Sequence, residues 1–304
     1  MKMKLVMARA MGFCNGVKRA ITVASAALAA SGNAQGVAVT GPLVHNHQVT
    51  DALEAQGLHV LETDDEIPPE TTRVVIRAHG ITDARRKKLE CACLDIYDAT
   101  CPLVSRAQDV IRTQAGKGRH IVVVGVPSHG ETVSMMGVDF PDGTPIHASL
   151  VSSVEGVASL PVDKALTVMV QSTFPQKEWN VIEKTLKERS FFQDVEFGNA
   201  ICPASVQRRK AVEELCDSCD AIVVIGGRHS SNTVALTEIV AERKLPVFHV
   251  ENADEVPVLI VGYKIVGITA GASTPKDVIT AVCSKLRFLA DSQTTTSPMD
   301  SALS

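Results

Sequence analysis

Apolar, β-branched runs alternate with amphipathic stretches through nearly the whole chain. Strand-like runs are KLVMA (4–8), GVAVT (36–40), RVVIRA (73–78), HIVVVG (120–125), LTVMVQ (166–171), AIVVIGG (221–227), PVFHV (246–250) and KIVGITA (264–270). Helix-period stretches fall at 17–30, 46–56, 82–89, 103–115, 176–189, 204–218, 232–243 and 275–289. Strands alternating with helices of this length predict βαβ units and parallel sheets, an α/β fold. The polar run from about residue 290, DSQTTTSPMDSALS, has no periodicity and reads as a disordered tail.

Composition narrows the class. Of 304 residues, 45% are hydrophobic and 21% charged, which is ordinary for a globular protein. The net charge of −4, with both signs mixed, argues against a nucleic-acid binder, which normally carries a basic surplus. No apolar run is long enough to span a bilayer, so no membrane role is expected. The start, MKMKLVMARAMGF, is interrupted by Arg9 and reads as a first β-strand rather than an export signal. A reducing, cytoplasmic setting follows, in which the eight cysteines are thiols or metal ligands.

Three cysteines share one local setting. Cys14 (GFCNGVKRAI), Cys101 (DATCPLVSRA) and Cys202 (NAICPASVQRR) each end an extended stretch and precede a helical pattern, 87 and 101 positions apart. A thiol before a helix lies at the positive end of its dipole, which favours the metal-binding thiolate. The repeat suggests three βα-rich lobes with mostly parallel sheets, arranged pseudo-threefold around one central iron–sulfur site. The boundaries read as 1–15 (first strand and cysteine, packing with the third lobe), 16–101, 102–198, 199–289 and the tail 290–304. Three thiolates leave one iron of a [4Fe-4S] cluster open, whereas a fully ligated electron-transfer cluster needs a fourth cysteine. The same residues also allow a three-cysteine zinc hydrolase of a small phosphate ester, or a redox-sensing cluster protein without turnover. Cys216 and Cys219 form a C-x-x-C near the end of a helical pattern and read as core packing. Cys91, Cys93 and Cys283 carry no partner pattern.

Other polar residues gather after strands, where α/β folds place their ligands. His45 lies in GPLVHN, His79 in RAHG and His129 in SHGE. Histidine donates to phosphate oxygens and relays protons near neutral pH. Ser230, Ser231 and Asn232 follow AIVVIGG, and Ser273 and Thr274 follow GITAGA. Both sets read as N-caps able to hold an anion, and two such sites suit a small diphosphate. Glu131, two residues from His129, is the candidate proton donor, with the Gln171-Ser172-Thr173 turn completing the set. Arg208, Arg209 and Lys210 read as a solvated helix face or a docking patch for an acidic partner.

Together these motifs resemble the IspH/LytB family, the 4-hydroxy-3-methylbut-2-enyl diphosphate reductases of the non-mevalonate isoprenoid pathway. GFCNGV, GPLVHN (41–46), RAHGI (77–81), DATCPLV (98–104), NAICPAS (199–205), SSNT (230–233) and GITAGAST (267–274) carry the likeness, over residues 4 to 287. The resemblance implies a [4Fe-4S] oxidoreductase with Cys14, Cys101 and Cys202 as ligands and ferredoxin or flavodoxin as electron donor. It implies that His45, His79 and His129 face the substrate, that Ser230, Ser231, Asn232 and Ser273 hold the diphosphate, and that Glu131 heads a proton path with Ser172 where threonine is usual. The implied reaction is the pathway's final step, giving isopentenyl and dimethylallyl diphosphate. The chain departs from the family's G-H-x-x-H-P-E-V, reading Gly125-Val126-Pro127-Ser128-His129-Gly130-Glu131-Thr132. A diverged paralogue with an altered substrate fits that departure. Gly130 in place of proline is expected to loosen the backbone between His129 and Glu131.

Overall fold

The computed structural model describes residues 3–30, 36–61, 67–189, 192 and 194–295. In chain order its elements are β1 (Lys4–Met7), α1 (Asn15–Ala29), β2 (Val37–Val39), α2 (His47–Glu54), β3 (Leu58–Val60), β4 (Arg73–Ile76), α3 (Asp83–Cys91), β5 (Asp95–Asp98), α4 (Pro102–Gly116), β6 (His120–Val124), α5 (Gly130–Met136) and β7 (Ala148–Val151). They continue with β8 (Leu166–Val170), α6 (Gln176–Glu188), β9 (Val195–Phe197), α7 (Pro203–Cys216), β10 (Ala221–Ile225), α8 (Ser231–Glu242), β11 (Val247–Val250), β12 (Ile265–Ala270) and α9 (Lys276–Thr295).

These strands form three four-stranded sheets, ordered β1-β12-β10-β11, β3-β2-β4-β5 and β7-β6-β8-β9. Every strand pair within them is parallel. The chain has two compact units. The first comprises Met1–Cys14, His45–His47 and Pro203–Ser304 and holds the first sheet; the second comprises Asn15–Val44 and Gln48–Cys202 and holds the other two. The N-terminal strand joins the C-terminal sheet, with Lys4 to Met7 registered on Ile265 to Ile268.

The strands β6, β8 and β10 are buried at all or nearly all positions, as expected where helices cover both faces of a parallel sheet. All eight apolar runs form strands. Four further strands, β3, β5, β7 and β9, are all edge strands of three or four residues. An edge strand of this kind is half exposed, so it carries charged residues, such as DIYD in β5, and shows no continuous apolar run. The helix α9 continues to Thr295, beyond the expected boundary at 290, and residues 296–304 lie outside the described residues.

Side chains brace the loops that follow the strands. Asp83 accepts from Arg112 Nη2 at 2.8 and 2.7 Å and from Asp139 N–H at 2.8 Å, which ties α3 and α4 to the segment after α5. Asn199 imitates a neighbouring strand: Val170 N–H donates to its Oδ1 at 2.7 Å, and its Nδ2 donates to Val170 O at 2.8 Å. Those two bonds hold the segment leading to Cys202 against the end of β8. Replacing Asn199 with alanine strands both backbone groups of fully buried Val170. The expected loss is about 1–3 kcal/mol of unfolding free energy, read from urea denaturation. An unchanged midpoint would show that these two bonds contribute nothing net.

Candidate active site

The three cysteines are reduced and half-buried, each directly ahead of a long helix: α1, α4 or α7. Their backbone amides share a second feature. Cys14 N–H donates to Ala272 O at 3.0 Å, Cys101 N–H to Ala78 O at 2.9 Å and Cys202 N–H to Ser172 O at 2.9 Å. Each acceptor is a substrate-site candidate or its immediate neighbour: Ala272 precedes Ser273, and Ala78 precedes His79. Thiolates at helix starts are the donors that hold iron–sulfur clusters, and reduced thiols in matched settings fit that use.

The second unit brings together His79, His129, Glu131 and Ser172. Glu131 is 3% exposed. Its Oε1 accepts from Ser172 N–H at 2.9 Å, and its Oε2 accepts from Ser172 Oγ at 2.7 Å. Burial pushes this carboxyl above the usual range, and the two Ser172 bonds offset part of that rise. His129 caps α5, with its Nδ1 accepting from Glu131 N–H at 3.2 Å. A ring whose Nδ1 accepts carries its proton on Nε2, so His129 presents a donor on its far side. Its ring meets that of His79 edge-on, with centroids 5.2 Å apart. Gln171 steadies the loop by accepting from Val126 N–H at 2.9 Å and Thr132 Oγ1 at 3.2 Å through Oε1. A side chain at Gly125 would collide with Thr132 Oγ1, 2.3 Å from its Cβ position.

The first unit brings together His45, Ser230, Asn232 and Ser273. Ser230 caps α8, with Thr233 N–H donating to its Oγ at 3.4 Å. Ser231 is the first residue of that helix and is half-buried. Ser273 does not cap a helix as expected, because α9 opens only at Lys276. Its Oγ instead donates to His45 O at 3.0 Å and lies 3.5 Å from Ser230 Oγ. Asn232 is a brace: its Oδ1 accepts from Ala272 N–H at 2.9 Å, and its Nδ2 lies 3.5 Å from Ser205 Oγ. The neighbour of Ala272, Ser273, is thereby tied to α8. Gly227 is needed here, since a Cβ would sit 2.8 Å from His45 O.

A further sequence reading changes. Arg208 is 5% exposed, and its guanidinium donates to Gly12 O at 2.5 Å and Ala204 O at 2.8 Å. It therefore anchors the segment leading to Cys14 and cannot form part of a docking patch; Arg209 pairs with Glu213. At Gly130 the Arg77 guanidinium fills the space a side chain would take, 2.6 Å from Nη2. Arg77 was legible only as a polar residue within RAHG, since its importance lies in two glycines distant in sequence. The C-x-x-C residues behave as expected: Cys219 is buried in an apolar cluster with Cys216 packed against it, and burial pushes both thiols up.

The buried carboxyl makes stability depend on pH with a definite sign. Near pH ~4, around the ordinary glutamate value, the unfolded chain begins to release this proton while the folded chain retains it. Stability therefore falls as pH rises through that value and levels off above the raised folded value. Arg77 and His79 lie against the loop, and His129 is part of it. Glu131→Gln removes the titration, so its melting temperature is expected to exceed the wild type's by a margin that is near zero at pH ~4 and grows toward neutrality. A margin independent of pH would show that Glu131 is not held protonated.

A family model described as LytB protein matches residues 5–287. The 4-hydroxy-3-methylbut-2-enyl diphosphate reductase of Thermoanaerobacter sp. is 35% identical over 94% of this chain and 98% of its own. The reductase of that name from Treponema denticola is 32% identical over 92% and 97%. Among solved structures, the E-1-hydroxy-2-methyl-but-2-enyl-4-diphosphate reductase from Plasmodium falciparum superposes with a TM-score of 0.84 at 26% identity, covering 93% of this chain and 88% of that one. A match that runs from the first strand into the last helix covers nearly all of the fold: the chain belongs to the LytB family.

Proposed function

We propose that this chain reduces (E)-4-hydroxy-3-methylbut-2-enyl diphosphate to isopentenyl and dimethylallyl diphosphate, the last step of the non-mevalonate pathway. Removing the allylic hydroxyl takes two electrons and two protons, and the oxygen leaves as water. The observation that carries the reading is the dry carboxyl of Glu131, seated on the Ser172 hydroxyl beside His129. Burial pushes this carboxyl up and so favours its proton-donating form, and Ser172 Oγ at 2.7 Å is the group through which the proton can pass. The Nε2–H of His129 and the ring of His79 are polar groups suited to orienting the hydroxyl and the diphosphate.

In the first unit, Ser230, Ser231, Asn232 and Ser273 are the proposed diphosphate holders, and His45 is proposed to face the substrate. The start of the twelve-residue α8, at half-buried Ser231, adds backbone N–H donors. Cys14, Cys101 and Cys202 would hold a [4Fe-4S] cluster that, when bound, supplies the electrons and one iron open to ligands. Reduced ferredoxin or flavodoxin is the proposed donor, in a reducing cytoplasm. We place the lobe boundaries at 101/102 and 198/199. No helix among the described residues is long and apolar enough to cross a membrane.

Anaerobic purification followed by turnover with a chemical reductant tests this reading. Brown protein containing iron and sulfide, and loss of the allylic diphosphate, are expected. Colourless protein with about one zinc, or a cluster without turnover, would overturn it. Glu131→Gln should retain the cluster's absorbance but lower turnover by roughly 10²-fold or more. Alanine at Cys14, Cys101 or Cys202 should abolish the cluster, whereas Cys216→Ala should not.

A further inference from the structure

Arg77 follows β4 and stands two residues before His79. Its backbone is fixed at both groups: its N–H donates to Thr40 Oγ1 at 3.2 Å, and its carbonyl accepts from Gly80 N–H at 3.0 Å. Its guanidinium reaches two glycines in other loops. A Cβ on Gly41 would lie 2.7 Å from Nη1, and one on Gly130 would lie 2.6 Å from Nη2, 2.9 Å from Cζ and 3.1 Å from His79 Cβ. Gly41, with φ +99°, opens the loop after β2. Gly130 separates the capping histidine from Glu131. Each end of a planar, rigid group is therefore seated where a glycine has no side chain. Arginine has the reach and the fixed plane to touch two backbones at once; lysine has a single flexible point charge.

We propose that Arg77 is a positioning residue, whose guanidinium clamps the Gly41 loop and the His129–Glu131 loop to the His79 loop and so sets the proton donor relative to the histidines. Gly130 is then the matching half of the clamp: it is glycine because Arg77 occupies its side-chain space. The inference rests on the proposed reductase reaction only where turnover is the readout.

Four variants of the full chain, each loaded with its cluster, test it. Arg77→Ala should lower kcat by roughly 10- to 100-fold with KM changed by less than about threefold, since misplacing a reacting group acts mainly on the chemical step. Amide hydrogen exchange in residues 126–131 should speed up in that variant. Arg77→Lys should not restore kcat. Gly130→Ala should lower kcat when Arg77 is present but have no further effect when added to Arg77→Ala. A raised KM with unchanged kcat would mean that Arg77 binds the diphosphate directly, and would overturn the proposal. So would full rescue by lysine, unchanged exchange, or independent effects of the two substitutions. Should Arg77→Ala fail to fold, Gly130→Ala with Arg77 retained gives the same kcat and exchange readings. The exchange measurement needs no turnover, so it decides the role of Arg77 even if the chain proves to act on another substrate.

Discussion

The hydrogen bond from each cysteine amide to the carbonyl of a neighbouring loop is the contact on which the candidate site depends. Cys14, Cys101 and Cys202 each donate to a residue that is, or adjoins, a substrate-site candidate: Ala272, Ala78 or Ser172. Parallel sheets make this possible, since every strand of a sheet ends at the same edge and the loops there lie side by side. A residue that opens a helix and is bonded by its amide to the next loop has little freedom to move independently of it. The three cysteines and the candidate substrate-site loops are coupled in this way through single backbone contacts.

Glu131 shows the opposite strategy, in which an unfavourable environment is retained. Placing a carboxyl at 3% exposure penalises its charged form, and one serine supplies both of its described side-chain partners. A core residue chosen for stability would be apolar. Here the penalty keeps a proton on the group at a pH where an exposed glutamate would have lost it. The surrounding loop is correspondingly over-determined. His129 caps the helix that carries Glu131, Gln171 binds the turn before it, and the Arg77 guanidinium occupies the space beside Gly130. Buried strain or desolvation persists only where neighbouring contacts fix the conformation from several sides.

Burial of strands by helices accounts for which elements the residues revealed. Six of the eight apolar runs (β2, β4, β6, β8, β10 and β12) became central strands, which a parallel sheet covers on both faces and which are therefore largely apolar; the other two, β1 and β11, are edge strands with enough apolar residues to be read. The edge strands β3, β5, β7 and β9 escaped because one side faces water and their residues are mixed. The short helix α5 escaped because seven residues with a glycine at the start carry too little periodicity. Among the site candidates, the residue types and their place after strands were readable, including the cysteine settings and the serine cap at Ser230. Local pattern also misassigned some: Ser273 looked like a cap but binds His45 O, and Arg208 looked solvated but is buried.

The sequence by itself determined the α/β class, the strands at the centre of each sheet, the three cysteines ahead of helices and the family to which the chain belongs. These properties are written in short-range pattern, in runs of like residues and in motifs whose order is preserved. Tertiary structure alone decided the upward pKa shift of Glu131, the tautomer of His129, the bracing role of Asn232 and the seat of Arg77 between two glycines. Each of those depends on desolvation or on contact between segments tens of residues apart, and neither quantity exists until the chain has folded.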